Sequence, residues 1–248
     1  MLNVNDPNAP GASSEFRFRD ARIQFWNEDL KFRVGLTVLP VALLLVAWLT
    51  GISGLLLYGA IFFAGFYAAI AMVSWMFVPR HIQSLRDGAE GEVQTAKELD
   101  RLAKAGWRPI HDRALDRCNV DHIEIGPGGV FVIDTKNWNG LLKVTERGVT
   151  QDGKLRKGVA PGAKSAALQI RQRIMADGSK PGWVNAVVVF WGDFPQGMVQ
   201  QDNVTYLAGD QLVDWLRSQP AKLNGVEIDR FAGVISTMRP GVELSLAS

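Results

Sequence analysis

Residues 120–140 read VDHIEIGPGGVFVIDTKNWNG. Val120 to Ile125 alternates apolar and polar side chains, the period of a half-buried strand. Val130 to Thr135 is mostly apolar, as in a strand covered on both faces. Gly126-Pro127-Gly128-Gly129 between them marks a tight turn, so the two strands form a hairpin. Side chains two apart on a strand share a face, which places Asp134 and Lys136 together at the strand end. The turn brings Asp121 beside them. Two carboxylates and a lysine in this arrangement suit hydrolysis of a phosphodiester. Carboxylate oxygens hold a hard cation such as Mg²⁺ or Mn²⁺, the cation acidifies water and neutralises phosphate charge, and the lysine stabilises developing negative charge. The spacing alone equally allows an ordinary Asp134–Lys136 ion pair.

The flanking sequence extends the pattern. Ala89 to Ala105 carries Val93, Ala96, Leu99, Leu102 and Ala103 at helical spacing, and Gly106 ends it. Trp107 to His111 reads as a short strand. A strand near 141–145 follows Asn139-Gly140, and polar residues 146–160 read as a hairpin. Pro161 to Ala176 reads as a helix. Trp183 to Trp191 (WVNAVVVFW) is a buried strand and Val204 to Leu207 a shorter one. Asp210 and Asp229 are the expected caps of two last helices, the second near 230–238. The expected fold is α/β, a mixed β-sheet flanked by helices.

Gly91-Glu92, Asp121-His122-Ile123 and Gly129 to Gly140 (GVFVIDTKNWNG) occur in an order and spacing that closely resembles the NERD family, the nuclease-related domain. The resemblance covers about residues 86–200. It implies a PD-(D/E)xK nuclease-like αβββαβ core, with Glu92, Asp121, Asp134 and Lys136 as the catalytic set. Residues 201–248 are expected as a C-terminal α/β extension packed on that domain. The family often carries Gln three residues after a Pro in the later helix; here that position is Lys164.

The metal ligands expected are Asp121, Asp134 and the Thr135 carbonyl, with Glu92 directly or through water. Lys164, Arg171 and Arg173 on the later helix are the expected nucleic-acid contacts. Ten Lys/Arg against three Asp/Glu between Lys136 and Lys180 suit nucleic acid, DNA foremost, and equally a solvated surface. His122 is expected to pack rather than ligate, and Cys118 to be inert.

Toward the N-terminus, the 45 residues from Val34 to Val78 contain no Asp, Glu, Lys, Arg or His. A bilayer-spanning helix takes about 20 apolar residues. The run therefore reads as two spans, about 34–50 and 55–78, broken at Gly51-Ile52-Ser53-Gly54. Its length and distance from Met1 do not suit a cleaved signal peptide. Arg17, Arg19, Arg22, Lys31 and Arg33 precede it and Arg80 and Arg86 follow it, so the positive-inside rule puts both termini in the cytoplasm. Residues 1–33 are expected as a cytoplasmic tail, disordered over 1–14 and amphipathic over 15–33. The lone Cys118 suits a reducing compartment.

The chain thus reads as a Mg²⁺-dependent nuclease of the inner (plasma) membrane, with lipid bilayer and nucleic acid as partners. A catalytically inactive module binding nucleic acid or protein, and a membrane scaffold without nucleic acid, remain the alternatives.

Overall fold

The computed structural model describes residues 6–28, 30–51, 53–76, 80–116 and 118–242. The chain divides into two compact units, Phe18–Gln83 and Met1–Arg17 together with Ser84–Ser248.

The first unit holds most of helix α1 (Ala12–Glu28) and helices α2 (Leu30–Leu49) and α3 (Leu55–Met76). The uncharged run thus forms two helices, each long and apolar enough to cross a membrane. The expected end of the second span, 77–78, lies outside the described residues. Gly51 and Gly54 both take positive φ, 65°, a conformation open to Gly at little cost, and so end one helix and start the next. Pro40 lies within α2. Trp26 stacks on Trp75 at 5.3 Å between centroids, the Trp75 indole donates to Thr37 Oγ1 at 3.1 Å, and the Arg33 guanidinium lies 4.2 Å from the Trp26 ring centre.

The second unit is built on a six-stranded mixed sheet in the order β1-β2-β3-β7-β9-β8. Helix α4 (Arg80–Asp100) leads into the antiparallel strands β1 (Arg108–Ala114), β2 (Asn119–Gly126) and β3 (Gly129–Lys136). A small separate sheet follows, β4 (Leu142–Thr145), β5 (Gly148–Gln151) and β6 (Lys154–Leu155). Helix α5 (Val159–Ala176) then crosses over to β7 (Val184–Phe190), which pairs with β3 in parallel. Strands β8 (Met198–Gln201) and β9 (Val204–Ala208) complete the sheet, and helices α6 (Leu212–Arg217) and α7 (Gly225–Ser236) follow.

Alternation along β3 and β7 explains why both read as continuous apolar runs. Val130, Val132 and Val188 bury with Ile170 and Ile174 of α5; Phe131, Ile133, Val187 and Val189 bury with Leu99 of α4, Leu102 just beyond it, and Leu212 and Leu216 of α6. The sheet is therefore covered by helices on both faces. Because β9 pairs in parallel with β7, residues expected as an extension supply a strand of the central sheet itself.

Several boundaries differ from expectation. Helix α4 begins nine residues before Ala89, at Arg80. Asp229 does not cap the last helix. Asn224 does, accepting from Glu227 N while the Glu227 side chain accepts from Asn224 N, a reciprocal pair that satisfies two otherwise orphaned donors. Asp229 instead pairs with Arg108 at 2.9 Å. Asp210 falls in a short 3₁₀ turn whose entry makes no side-chain capping bond. Residues 12–14, expected to be disordered, form the first turn of α1 with Ser13 and Ser14 buried. Long-range hydrogen bonds to the sheet unit, described below, hold that turn.

Gly91 shows why the Gly-Glu pair takes this form. A Cβ there would lie 2.6 Å from Asn137 Cβ and 3.3 Å from Thr135 Cγ2. Only a residue without a side chain lets α4 rest this closely on the end of β3. We expect Gly91→Ala to destabilise the domain by about 1–3 kcal/mol, as overpacking usually does, read as a lower melting temperature. An unchanged or raised value would show that α4 can shift to accommodate the methyl group.

Candidate active site

The β2–β3 register fixes the core of the site. One step beyond the His122–Ile133 pair, Asp121 stands opposite Asp134. Both lie at the strand ends, on the face that carries Val130 and Val132 toward α5. The Asp121 carboxylate accepts from the Thr135 backbone N–H at 2.7 Å. Lys136 Nζ donates to Asp134 Oδ1 at 2.6 Å. Thr135, on the other face, donates to Thr95 Oγ1 of α4 at 3.0 Å, and the Trp191 indole donates to the same oxygen at 2.7 Å. This pins the peptide whose N–H holds Asp121.

Asp121, Asp134 and Lys136 line a cavity of about 600 Å³ between the strand ends, the end of β6 and the first turns of α5. Glu92 is buried behind it, on the turn of α4 that follows Gly91. It is close enough to act on the others electrostatically. Burial pushes the Asp121 carboxyl well above its usual range, and the charges of Glu92 and Asp134 push it further. Burial also raises Glu92 to about 7, against the lowering effect of its bond from Ser14. Burial works to lower the Lys136 ammonium, but Asp134, Asp121 and Glu92 outweigh it and raise the pKa. The cluster is an excess of buried negative charge partly neutralised by one lysine.

Two contributors escaped sequence reasoning. Ser14 Oγ donates to Glu92 Oε1 at 2.6 Å, and Ser13 donates to Asp112 through both N (2.7 Å) and Oγ (2.8 Å). Asp112 is buried and takes positive φ, 47°, between the His111–His122 and Arg113–Val120 pairs that set it opposite Asp121. Burial raises its carboxyl pKa, with the Ser13 bonds opposing. No local pattern announces these contacts, which span 78 to 99 residues of chain.

The expected nucleic-acid contacts do not gather here. Lys164 is solvent-exposed and outside the cavity wall. Arg171 donates to the Gly182 carbonyl at 2.8 Å, and Arg173 lines a separate depression with Asp177 and Asp229. The cations that do reach the cavity beside Lys136 are Arg156 and Lys157, carried there because β4–β6 folds back before α5. Cys118 also lines it, and burial with Asp134 and Asp121 raises its thiol pKa, which disfavours the reactive thiolate. His122 packs as expected: it is fully buried, its Nδ1 lies 2.8 Å from His111 Nδ1, and burial lowers both imidazoles, His111 to about 4.

The donor chemistry fits a hard divalent cation in type, since Glu92, Asp121, Asp134 and the Thr135 carbonyl offer only oxygen. The crowding of buried carboxylates is what such a cation would relieve. In this conformation Glu92 is engaged by Ser14 and Asp134 by Lys136. Among the described residues no group of three His, Cys, Asp or Glu side chains is arranged to hold a metal ion.

Residues 87–191 match the family model described as NERD, nuclease-related domain. That span runs from within α4 through β7 and contains Glu92, Asp121, Asp134 and Lys136. No curated protein matches the chain, and no solved structure does.

Proposed function

We propose, taking residues 87–191 as a nuclease-related domain, that this domain hydrolyses phosphodiester bonds of nucleic acid, DNA foremost, with Mg²⁺ or Mn²⁺. The observation that carries the reading is the convergence of Asp121, Asp134 and Lys136 on one cavity, with buried Glu92 behind them. A structural ion pair needs only Asp134 and Lys136. It gives no reason to bury two further carboxylates nearby, each at a cost in desolvation.

Asp121 and Asp134 would hold the cation, with the Thr135 carbonyl and Glu92 completing the oxygen set. When bound, such an ion supplies positive charge against the phosphate and acidifies water. The Thr135 N–H fixes the rotamer of Asp121. Lys136, protonated and therefore unable to ligate, stabilises negative charge that develops on the reacting phosphate. Lys157 binds a flanking phosphate.

A catalytically inactive, nucleic-acid-binding module is the second reading. The internal pairing of Glu92 with Ser14 and of Asp134 with Lys136 favours it. Calorimetric titration with Mn²⁺ separates the two. The hydrolase reading expects one site in the wild-type protein, lost in Asp121→Ala. Wild-type protein without Mn²⁺ binding would leave the binding module.

The site sits at a membrane in this proposal. Apolar side chains of α2 and α3, among them Val41, Trp48, Leu55, Phe62 and Met76, point outward, which in water would be an aggregation hazard and in lipid is the expected surface. The proposed location is the inner (plasma) membrane, with both spans crossing and both termini cytoplasmic. An alkaline phosphatase fused at residue 248 should be inactive, since that enzyme needs the oxidising side; an active fusion would reverse the orientation.

A further inference from the structure

The same cavity points to the form of nucleic acid it accepts, an inference that rests on the hydrolase or binding reading above. The carboxylates are not on an open ridge. They lie in a recess of about 600 Å³, within the range that takes a nucleotide-sized ligand, roughly 300–1,000 Å³. Its wall is chemically divided. Lys136, Arg156 and Lys157 supply cations, while Val120, Val132 and Ala163 supply an apolar floor. Binding a duplex through its backbone requires cations alone, because phosphates are what the rod presents. An apolar floor has no partner there. It does have one in an unstacked base, whose faces are flat and weakly hydrated.

Trp138 supplies the platform. It lines the recess and is only partly buried. Behind it Phe190 packs at 6.4 Å between ring centroids, which fixes the indole. The Arg156 guanidinium lies 5.4 Å from its ring centre and is itself oriented by a 2.7 Å bond from Nε to Gln151 Oε1. An aromatic ring and an oriented guanidinium plane at the mouth of a pocket are the two groups on which single-stranded bases stack. At Gly162, on the α5 wall, an added Cβ would meet nothing within 4 Å. The floor therefore stays open where a larger residue would fill it.

We infer that the recess beside Asp121 and Asp134 accepts single-stranded nucleic acid, with a base stacked at Trp138 and Arg156 and its phosphates on Lys136 and Lys157. Duplex ends and unpaired segments are then the substrates, and an intact duplex interior is not.

Fluorescence anisotropy tests this with the full chain in detergent, EDTA present to prevent cleavage. The probes are labelled 12-residue single strands of DNA and of RNA, and the blunt DNA duplex. Either single strand should bind at least tenfold tighter than the duplex. Trp138→Ala should weaken single-strand binding about 5- to 100-fold, the range for losing one base stack, and Trp138→Phe should restore most of it. Gly162→Trp, which fills the recess without touching a charge, should weaken it similarly while duplex binding stays the same. A duplex bound as tightly as the single strands overturns the inference and leaves nucleic-acid binding standing. So does single-strand binding indifferent to both Gly162→Trp and a folded Trp138→Ala. Failure to bind any of the three probes overturns the proposed function itself.

Discussion

Lys136→Ala should lower the rate of cleavage by about 10²–10³, the usual cost of removing one positioned electrostatic group from a reacting centre. Lys136 stands among Asp134, Asp121 and Glu92, whose charges keep it protonated. As an ammonium it cannot ligate a cation, so Mn²⁺ binding should survive the substitution. Nucleic-acid affinity should fall only modestly, since Arg156 and Lys157 remain. Lys136→Arg should also be poor, because a planar guanidinium cannot replace a compact ammonium at a crowded site. The Asp134–Lys136 side chains are both about one-quarter exposed, so losing the pair should cost about 1 kcal/mol or less in stability. If Lys136 serves only that pair, the opposite pattern appears: a lowered melting temperature with cleavage intact. Single-turnover rates and melting curves on the same preparations distinguish the two.

Glu92→Gln should make the protein more stable at alkaline pH while removing function. Burial raises the folded-state pKa of Glu92 to about 7 from an ordinary 4.5. The folded chain therefore holds a proton that the unfolded chain has released between those values. Stability is unaffected by this group below about pH 4.5, falls as pH rises toward 7, and carries the full penalty above it. At 1.36 kcal/mol for each pH unit, that penalty is about 3 kcal/mol at pH 8. Gln cannot ionise and still accepts from Ser14, so it avoids the penalty. The melting temperatures of wild type and Glu92→Gln should nearly coincide at pH 5. They should separate by roughly 5–10 °C in favour of the variant at pH 8. A variant equal to or below wild type at pH 8 would mean that Glu92 is better solvated than its burial indicates. Such a gain with loss of function is the usual signature of strain retained at a site for chemistry.

The fold was legible where periodicity was strong and local. β2 and β3 follow from alternation and the Gly126–Gly129 turn, and the parity of Asp134 and Lys136 puts them on one face as expected. α2 and α3 follow from an uncharged apolar run broken at Gly51 and Gly54. β8, with the weak pattern Met-Val-Gln-Gln, carries no strand signal of its own; its pairing with β9 makes it a strand. The α7 cap is Asn224, which with Glu227 carries the capping-box spacing; Asp229, the expected cap, is held by Arg108 instead.

The site was legible in its strand residues and not in its surroundings. Asp121 and Asp134 are cross-strand neighbours, so their proximity follows from register. Ser14 and Asp112 enter only through tertiary docking of the first turn of α1. The basic residues show how composition misleads. Lys164 and Arg171 lie seven apart, two turns along one face of α5, and that face is turned away from Gly162 and Ala166, which line the cavity. Arg156 and Lys157 have no helical period to mark them, yet the chain reversal at β6 carries them to the cavity.

The most direct test is cleavage by the wild-type full chain. Labelled single- and double-stranded DNA and RNA are incubated with Mg²⁺ or Mn²⁺, and Asp134→Ala from an identical preparation serves as the control for contaminating nucleases. Cut products should form from at least one single-stranded substrate, be abolished by EDTA and be absent with Asp134→Ala. No cutting of any substrate by a folded, Mn²⁺-replete wild-type protein, or equal cutting by Asp134→Ala, would contradict the hydrolase reading.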